Sequence, residues 1–432
     1  MIKKITLSLI ATTLLVSASG HDKTKIYAPV LVDNIAIMVP VKNETLPTKT
    51  KAYFGDKLNN LIDIVDVDNM SLIAQVPTGH EITYAAESIE LNGVVSKFYI
   101  DNRGSNVIDV LDAKTNTITK SINLPFYPRS LEHNKNTDLV VVSGKNKTMG
   151  AVIDARTDRL LLSVGDTADT TSTGHPQWLD DTHFVIPDRE HNRLLSYAMK
   201  KRNGQWSATL LNALSTPSSV HTIIPPSVHG QHGKQHGNEK SIIFYATAEG
   251  SATVNGALLK LEFLPSTGLS IVDSISMPDS RNTGTHHHNF LADKHTVYVG
   301  TKGGDVCVID YRKDLKIIKT FKAGIGAGHT AEFKNNNIAV VINHNDTFIT
   351  LVDTRTHTNI GDIKVSNISE DEVGVVQTQS HPAYHFSADG RYFYLFLTEE
   401  GAIVKVDLVE KKLVERLDLD GHLSMGAFVT TK

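Results

Sequence analysis

Residues 107–122 read V-I-D-V-L-D-A-K-T-N-T-I-T-K-S-I. Apolar and polar positions alternate on either side of a polar centre, which is the pattern of two half-buried strands joined by a tight turn. Asp112 stands at the start of that turn, where its carboxylate can accept backbone N–H hydrogen bonds. The stretch therefore predicts a β-hairpin with a structural aspartate.

The same hairpin pattern recurs along the chain. Clear copies lie at 62–76, 151–164, 306–321, 350–363 and 404–417, and degenerate copies lie at 193–212 and 257–275. The turn aspartates of the clear copies are Asp66, Asp112, Asp154, Asp310, Asp353 and Asp407. Most copies follow a further short apolar strand, so the repeating unit has four strands in about 40–50 residues, as in β-propellers.

We therefore predict an all-β fold, a closed β-propeller of eight blades with four antiparallel strands each. Seven blades is the alternative, because residues 26–60 are irregular. Residues 422–431 form a last strand with no hairpin after it, and we expect them to complete the blade begun by the N-terminal strands. The phrase S-A-D-G-R-Y-F-Y-L-F-L (387–397), with the V-I-D turns, resembles the YVTN-type β-propeller family. That resemblance implies a fold and leaves the function open.

Residues 1–20 have the organisation of a cleavable signal peptide. Lys3 and Lys4 precede an apolar run at 5–16, and small residues follow at 18–20. The run is shorter than the ~20 residues that span a bilayer. We expect an exported protein, located in the periplasm, with no membrane span after cleavage and with residues 21–432 forming a single propeller domain.

Composition excludes several function classes. The 432 residues carry a net charge of −4 with neutral histidine, so no broad basic field is available for nucleic acid. The single cysteine excludes an internal disulfide and a cysteine-rich metal site. The chain contains 20 histidines, and imidazole nitrogen is a preferred ligand of Zn(II) and Cu(II).

The histidines recur where the first strand of each blade is predicted to begin. In a propeller these positions surround one channel, so residues far apart in sequence become neighbours. Seven of the eight positions hold histidine and the eighth holds Pro128. The predicted metal-binding histidines are His80, His175, His229, His232, His236, His287, His288, His329, His381 and His422. Each histidine alone is compatible with a polar loop residue, but the periodic set favours a shared metal site.

Within this set we expect two roles. The tight site is predicted at the channel mouth from His287, His288, His329 and His381, because strands hold ligands rigidly. The glycine- and histidine-rich segment 228–237 is predicted to be a mobile capture loop, with a disordered loop as the alternative.

His191, and His344 with Asp346, are predicted to form an alternative metal site or to support the metal ligands through hydrogen bonds. Simple turns stabilised by aspartate would explain the same residues.

The segment H-G-Q-H-G (229–233), followed by I-I-F-Y-A-T-A-E-G (242–250), resembles the periplasmic zinc metallochaperones of AztD type. This resemblance implies a protein that binds Zn(II), with Cu(II) as the alternative, and delivers it to the periplasmic solute-binding protein of a metal ABC transporter. The alternatives are a propeller enzyme that uses copper or resembles the lactonases, and a non-catalytic interaction scaffold. No G-x-S-x-G nucleophile motif is present, so we do not expect an enzyme.

Overall fold

The structure is a computed structural model that describes residues 27–32, 35–40, 49–165, 171–226, 231–236, 239–333 and 337–431. Within these ranges every element is a β-strand and none is a helix. The predicted signal peptide, residues 1–20, lies outside the described residues. No helix in the described part of the chain has the length and apolar character needed to cross a membrane.

The strands are numbered in chain order. The N-terminal strands are β1 (Tyr27–Val32), β2 (Ile35–Pro40), β3 (Lys49–Asp56), β4 (Leu61–Asp66), β5 (Ser71–Pro77), β6 (Thr83–Leu91), β7 (Val94–Asn102), β8 (Val107–Asp112), β9 (Thr117–Asn123), β10 (Pro128–Asn134), β11 (Leu139–Gly144), β12 (Met149–Asp154) and β13 (Arg159–Gly165). The middle strands are β14 (Gln177–Trp178), β15 (His183–Asp188), β16 (Arg193–Arg202), β17 (Gln205–Ser215), β18 (Val220–Ile224), β19 (Gln231–His236), β20 (Glu239–Ala248), β21 (Ala257–Leu264) and β22 (Gly268–Ser276). The C-terminal strands are β23 (Thr285–Phe290), β24 (Thr296–Thr301), β25 (Asp305–Asp310), β26 (Lys316–Lys322), β27 (Ala327–Phe333), β28 (Ile338–Asn343), β29 (Phe348–Asp353), β30 (Thr358–Lys364), β31 (Gln379–Phe386), β32 (Tyr392–Leu397), β33 (Ala402–Asp407), β34 (Lys412–Asp418) and β35 (Leu423–Thr431).

These strands form eight antiparallel units of four, which is consistent with a β-propeller. Unit 1 contains β35, β3, β4 and β5, and unit 2 contains β6 to β9. Units 3 and 4 contain β10 to β13 and β14 to β17, and unit 5 contains β18, β20, β21 and β22. Units 6, 7 and 8 contain β23 to β26, β27 to β30 and β31 to β34. Strands β1 and β2 pair with each other, and β19 pairs with β20.

The eight predicted hairpins are confirmed, because each matches the last two sequential strands of one unit. The turn aspartates all accept backbone N–H hydrogen bonds, as predicted. The prediction that the final strand completes the N-terminal unit is also confirmed, because β35 pairs antiparallel with β3, with Phe428 opposite Ala52.

Apolar cores lie between neighbouring units. Each of eight buried clusters draws side chains from two consecutive units, including one cluster shared by units 8 and 1. In that cluster the rings of Phe54 and Phe396 lie 4.5 Å apart. Because both faces of such strands are buried, a strand such as β11, L-V-V-V-S-G, is a run of apolar residues and not an alternation.

The first strand of most units is interrupted near its start by a β-bulge. Register shifts occur at the start of β6, β10, β18, β23 and β27. A bulge leaves an extra residue outside the ladder and re-aims its side chain. The residues in these bulges are Tyr84, Arg129, His221, His286 with His287, and Gly328. The bulges therefore lie at the starts of the first strands, where the channel mouth is predicted.

Candidate metal centre

Six imidazoles form one contiguous group, here called the histidine cluster. It draws on units 4, 5, 6 and 7, and its members are His175, His221, His286, His287, His329 and His344. Neighbouring ring centroids lie 3.9 to 5.2 Å apart along the chain of contacts from His175 to His344. Five come from the starts of first strands or the turn before one, and His344 follows the second strand of unit 7. In an antiparallel unit these two points lie at the same end.

The bulge in β23 explains how two adjacent residues join the cluster. Thr285 pairs with Thr301 and His288 pairs with Val299, so His286 and His287 together oppose a single residue. Regular alternation would send these neighbours to opposite faces of the strand. Here both rings contact His221, with centroids 4.7 and 4.8 Å away.

His288 points away from the cluster. Its ring is fully buried, its Nδ1 lies 2.7 Å from the Thr247 hydroxyl oxygen, and its ring contacts Phe290. Burial lowers the pKa of His288 to about 3. The structure thus gives this predicted ligand a position in the packing between units 5 and 6.

Three groups within the cluster have the spacing of a metal site. They are His175 with His221 and His287, His286 with His329 and His344, and His221 with Glu249 and His286. In each group the potential ligand atoms lie within 4.8 Å of one another. Three nitrogen ligands with an open fourth position is the arrangement found at exchangeable or catalytic zinc sites.

Four imidazoles of the cluster have lowered pKa values, which favour the neutral form. Burial, followed by the neighbouring His221, holds the pKa of His175 well below its usual value, and burial with the neighbouring His344 does the same for His329. Burial also lowers the pKa of His221, and that of His344 to about 4. A neutral imidazole offers a nitrogen lone pair, so these rings are ready to bind a metal at neutral pH.

Hydrogen bonds orient the two ends of the cluster. The Nδ1 of His344 donates to the Gln379 carbonyl oxygen over 3.0 Å, which places the lone pair on Nε2. The Nδ1 of His175 lies 2.6 Å from the Ser130 hydroxyl oxygen, and the His175 backbone N–H donates to the His221 carbonyl. Partners of this kind fix ring orientation before a metal arrives.

Gly328 makes the close approach of the rings possible. A methyl group on this residue would overlap the His344 ring at Cδ2 and Nε2 and would crowd the His286 ring. The requirement is steric, because this glycine does not need a left-handed backbone. The stretch G-A-G-H-T (326–330) therefore contributes Gly328 to the site as well as His329.

Glu249 supplies the negative charge nearest the cluster. Its Oε1 lies 3.3 Å from His221 Nδ1, and its Oε2 accepts hydrogen bonds from Arg189 and from the Ser219 hydroxyl. Burial acts to raise the pKa of this carboxyl, but its contact with His221 and its ion pair with Arg189 hold the pKa well below its usual range. The group is therefore a carboxylate at neutral pH.

Several predicted residues lie outside the cluster. His80 Nε2 is 3.6 Å from Asp109, and His422 Nδ1 is 3.5 Å from Glu399. His191 contacts Asp188 within its own turn, over 3.0 Å. Of the residues predicted for an alternative site, His344 belongs to the cluster, whereas His191 lies beside Asp188. The Asp346 carboxylate accepts the Ile325 and Thr347 backbone N–H groups, which is the predicted turn role.

The predicted start of unit 5 is wrong. We expected it at His229 and His232, but the first strand is β18, which begins at Val220. Strand β19 pairs with residues 239–243 of β20. His229 lies outside the described residues. His232 and His236 stand in β19 and His381 in β31, and their side chains lie outside the described part of the structure.

Sequence reasoning missed His221, His286 and Glu249. The stretch H-T-I-I (221–224) has the same pattern as the other positions, a histidine before a short apolar strand. The nearby glycine–histidine segment has more histidines, and it was therefore predicted to begin the unit. His286 was missed because a bulge cannot be read from alternation.

Comparisons with known proteins show a shared fold. No protein-family model matches the chain, and no curated protein matches it. Among solved structures, the dihydro-heme d1 dehydrogenase NirN in complex with DHE has a TM-score of 0.61 at 17% identity, over 88% of this chain and 74% of NirN. Apo AztD from Citrobacter koseri has a TM-score of 0.57 at 8% identity, over 89% of this chain and 99% of AztD.

A third similar structure is the Pseudomonas aeruginosa periplasmic gluconolactonase PpgL, with a TM-score of 0.52 at 12% identity over 74% of this chain and 98% of that one. The predicted resemblance to AztD is thus confirmed at the level of the fold. The three neighbours carry different names and functions, so the fold does not select among them.

Proposed function

We propose that the protein binds a transition metal, Zn(II) in the first instance, in the histidine cluster, and delivers it as a metallochaperone. The observation that carries this proposal is the cluster itself: six imidazoles in contact, four of them at most 7% exposed. Imidazole nitrogen is a preferred ligand of Zn(II) and Cu(II). A metal ion could therefore be bound by the lone pairs of neighbouring rings in the cluster.

We propose one closed eight-bladed propeller formed by residues 21–432 as the scaffold. The cores between consecutive units, including that between units 8 and 1, support a ring. In such a ring the first strands surround the axis, which accounts for a cluster built from four units.

Zn(II) fits the donor set because it accepts neutral imidazoles in a tetrahedral arrangement. Cu(II) also binds imidazole, and metal analysis of the purified protein distinguishes the two. The presence of two three-histidine groups supports transfer, because a third group shares His221 with one of them and His286 with the other. An ion could therefore move from one group to the next by exchanging one ligand at a time.

The remaining parts of the proposal concern location and partner. Residues 1–20 would direct export to the periplasm, and the receiving partner would be the solute-binding protein of a metal ABC transporter. The sequence resemblance of segments 229–233 and 242–250 to zinc metallochaperones supports this role. The segment 228–237 would assist capture, so its deletion should slow zinc uptake and leave one tight site.

The test is a zinc titration against a competing chelator with His287→Ala and His329→Ala, each accompanied by thermal melting. We expect either change to weaken the tight site by at least tenfold, because each ring belongs to a three-histidine group. His80→Ala is the matched control, since His80 lies at the same end of its unit but outside the cluster. Wild-type affinity in both cluster variants would refute the proposal, as would loss of binding in the control alone.

A further inference from the structure

Four cationic side chains gather beside the histidine cluster at the same end of the units. Arg103, Lys145 and Arg189 follow the second strands of units 2, 3 and 4, and Arg129 occupies the bulge of β10. We call these four residues the basic cluster. Arg129 follows Pro128, which holds the one predicted channel-mouth position without a histidine. On this side of the ring, a cationic side chain therefore stands where other units have an imidazole.

Two bonded paths connect the basic cluster to the imidazoles. Ser130, the residue after Arg129, holds His175 through its hydroxyl oxygen at 2.6 Å. Arg189 donates to Glu249, whose other carboxylate oxygen lies 3.3 Å from His221. The basic cluster is also continuous with itself, because the Arg103 guanidinium donates to the Arg129 carbonyl oxygen.

The basic cluster carries more positive charge than its carboxylates neutralise. Arg103 pairs with Asp101, and Arg189 pairs with Glu249. Among the described residues, neither Arg129 nor Lys145 has a carboxylate within ion-pair distance. Burial, and then the charges of Arg103 and Arg189, lower the pKa of Arg129 to about 10. Burial, and then the charges of Arg103 and Arg129, lower the pKa of Lys145.

One guanidinium nitrogen of Arg129 is buried without a hydrogen-bond acceptor. Its Nη1 donates to the Ser172 hydroxyl over 3.2 Å, but its Nε has no acceptor in the part of the chain that the structure describes. A buried charged donor without an acceptor is costly, and a guanidinium fork matches the two oxygens of a carboxylate or phosphate.

This surplus charge is unfavourable for a bare divalent cation in the adjoining histidine cluster, because like charges repel most strongly where water is excluded. It is favourable for a cation that is already bound to an oxyanion. The anion would then occupy the ligand position that three histidines leave open, and its outer oxygens would face the basic cluster.

We propose that the metal is bound together with a small oxyanion, a carboxylate or a phosphate, which bridges the histidine cluster and the basic cluster. This inference rests on the proposed function and names its cargo as a metal–oxyanion complex. The ligand atoms on the protein are the imidazole nitrogens on one side and the Arg129 and Lys145 donors on the other.

The experiment is equilibrium dialysis of the full-length mature protein with zinc alone, with labelled citrate, and with labelled inorganic phosphate, each anion in the presence and absence of zinc. We expect at least one anion to bind the zinc-loaded protein tenfold or more tightly than the metal-free protein. The citrate and phosphate arms identify which oxyanion is preferred. Arg129→Gln and Lys145→Gln should each reduce anion binding by the loaded protein at least tenfold, and should strengthen the binding of zinc alone.

Lys412→Gln is the matched control, because Lys412 is an exposed cation in unit 8. Thermal melting checks the fold of every variant, and Lys145→Gln serves if Arg129→Gln does not fold. If zinc binds but both anions only compete it away from the protein, the inference is overturned and the proposed function stands. If wild-type protein binds zinc in no arm, the proposed function fails and this inference fails with it.

Discussion

The imidazoles of His287 and His329 stack with their centroids 3.9 Å apart and their planes inclined by 37°. They belong to the first strands of two different units, so their contact is set by the packing of unit 6 on unit 7. A positive charge on one ring would face the other ring at close range. Burial and the neighbouring histidines keep His329 neutral. Because His287 belongs to one three-histidine group and His329 to the other, this contact joins the two groups.

Gly328→Ala should abolish tight zinc binding although it removes no ligand. The new methyl group would overlap the His344 ring and push it out of the cluster. Competition titration should show at least a tenfold loss of affinity. Gly303→Ala is the control, because a methyl group there meets only ordinary contacts at 3.4 Å from Thr283. Equal affinities in the two variants would contradict the packing described for the cluster.

His288→Ala should mainly lower the stability of the fold, whereas His287→Ala should mainly lower zinc affinity. His288 fills the packing and bonds Thr247, so its loss should cost about 2–4 kcal/mol in the free energy of unfolding and leave zinc affinity unchanged. His287→Ala should reduce zinc affinity with a smaller effect on stability. Chemical denaturation and zinc titration of both variants check this. Loss of affinity in His288→Ala without destabilisation would show that the ring is a ligand after all.

The metal-free protein should lose stability as the pH falls from 7 to 5. The pKa of His344 is about 4 in the fold and about 6.5 in the unfolded chain, so the unfolded chain binds more protons between these values. The contribution of His344 to the free energy of unfolding is therefore fully present above about pH 6.5. It declines below that pH, and the loss is about 2 kcal/mol at pH 5 for one such group. Denaturation at both pH values measures the loss. His344→Gln cannot titrate, and an undiminished loss in that variant would exclude the explanation.

Glu249→Gln should destabilise the fold by about 1–3 kcal/mol, because it leaves the Arg189 charge without its carboxylate and weakens the bond to His221. Arg189→Gln combined with Glu249→Gln should recover part of the loss, since neither charge is then left alone. The double-mutant cycle is measured by chemical denaturation. Strict additivity of the two changes would rule out a direct interaction.

The repeats made the fold predictable, because apolar alternation and turn aspartates are local signals. Phrases such as 107–122 give strand bounds within a residue or two of those observed. The site was predictable only in outline. His175, His287 and His329 were found by their periodic placement, whereas His286 depends on a bulge and Gly328 on the shape of the space around it. Neither a bulge nor a steric fit is encoded in residue type alone.

The pairing of β35 with β3 has a consequence for how the chain is made. Strand β3 is synthesised before units 2 to 8, but β35, which pairs with it, is synthesised after them. Until β35 emerges from the ribosome, β3 has an open edge to which other chains could add. Unit 1 is thus the first to be synthesised and the last to be finished, and a chain truncated before Leu423 is expected to aggregate.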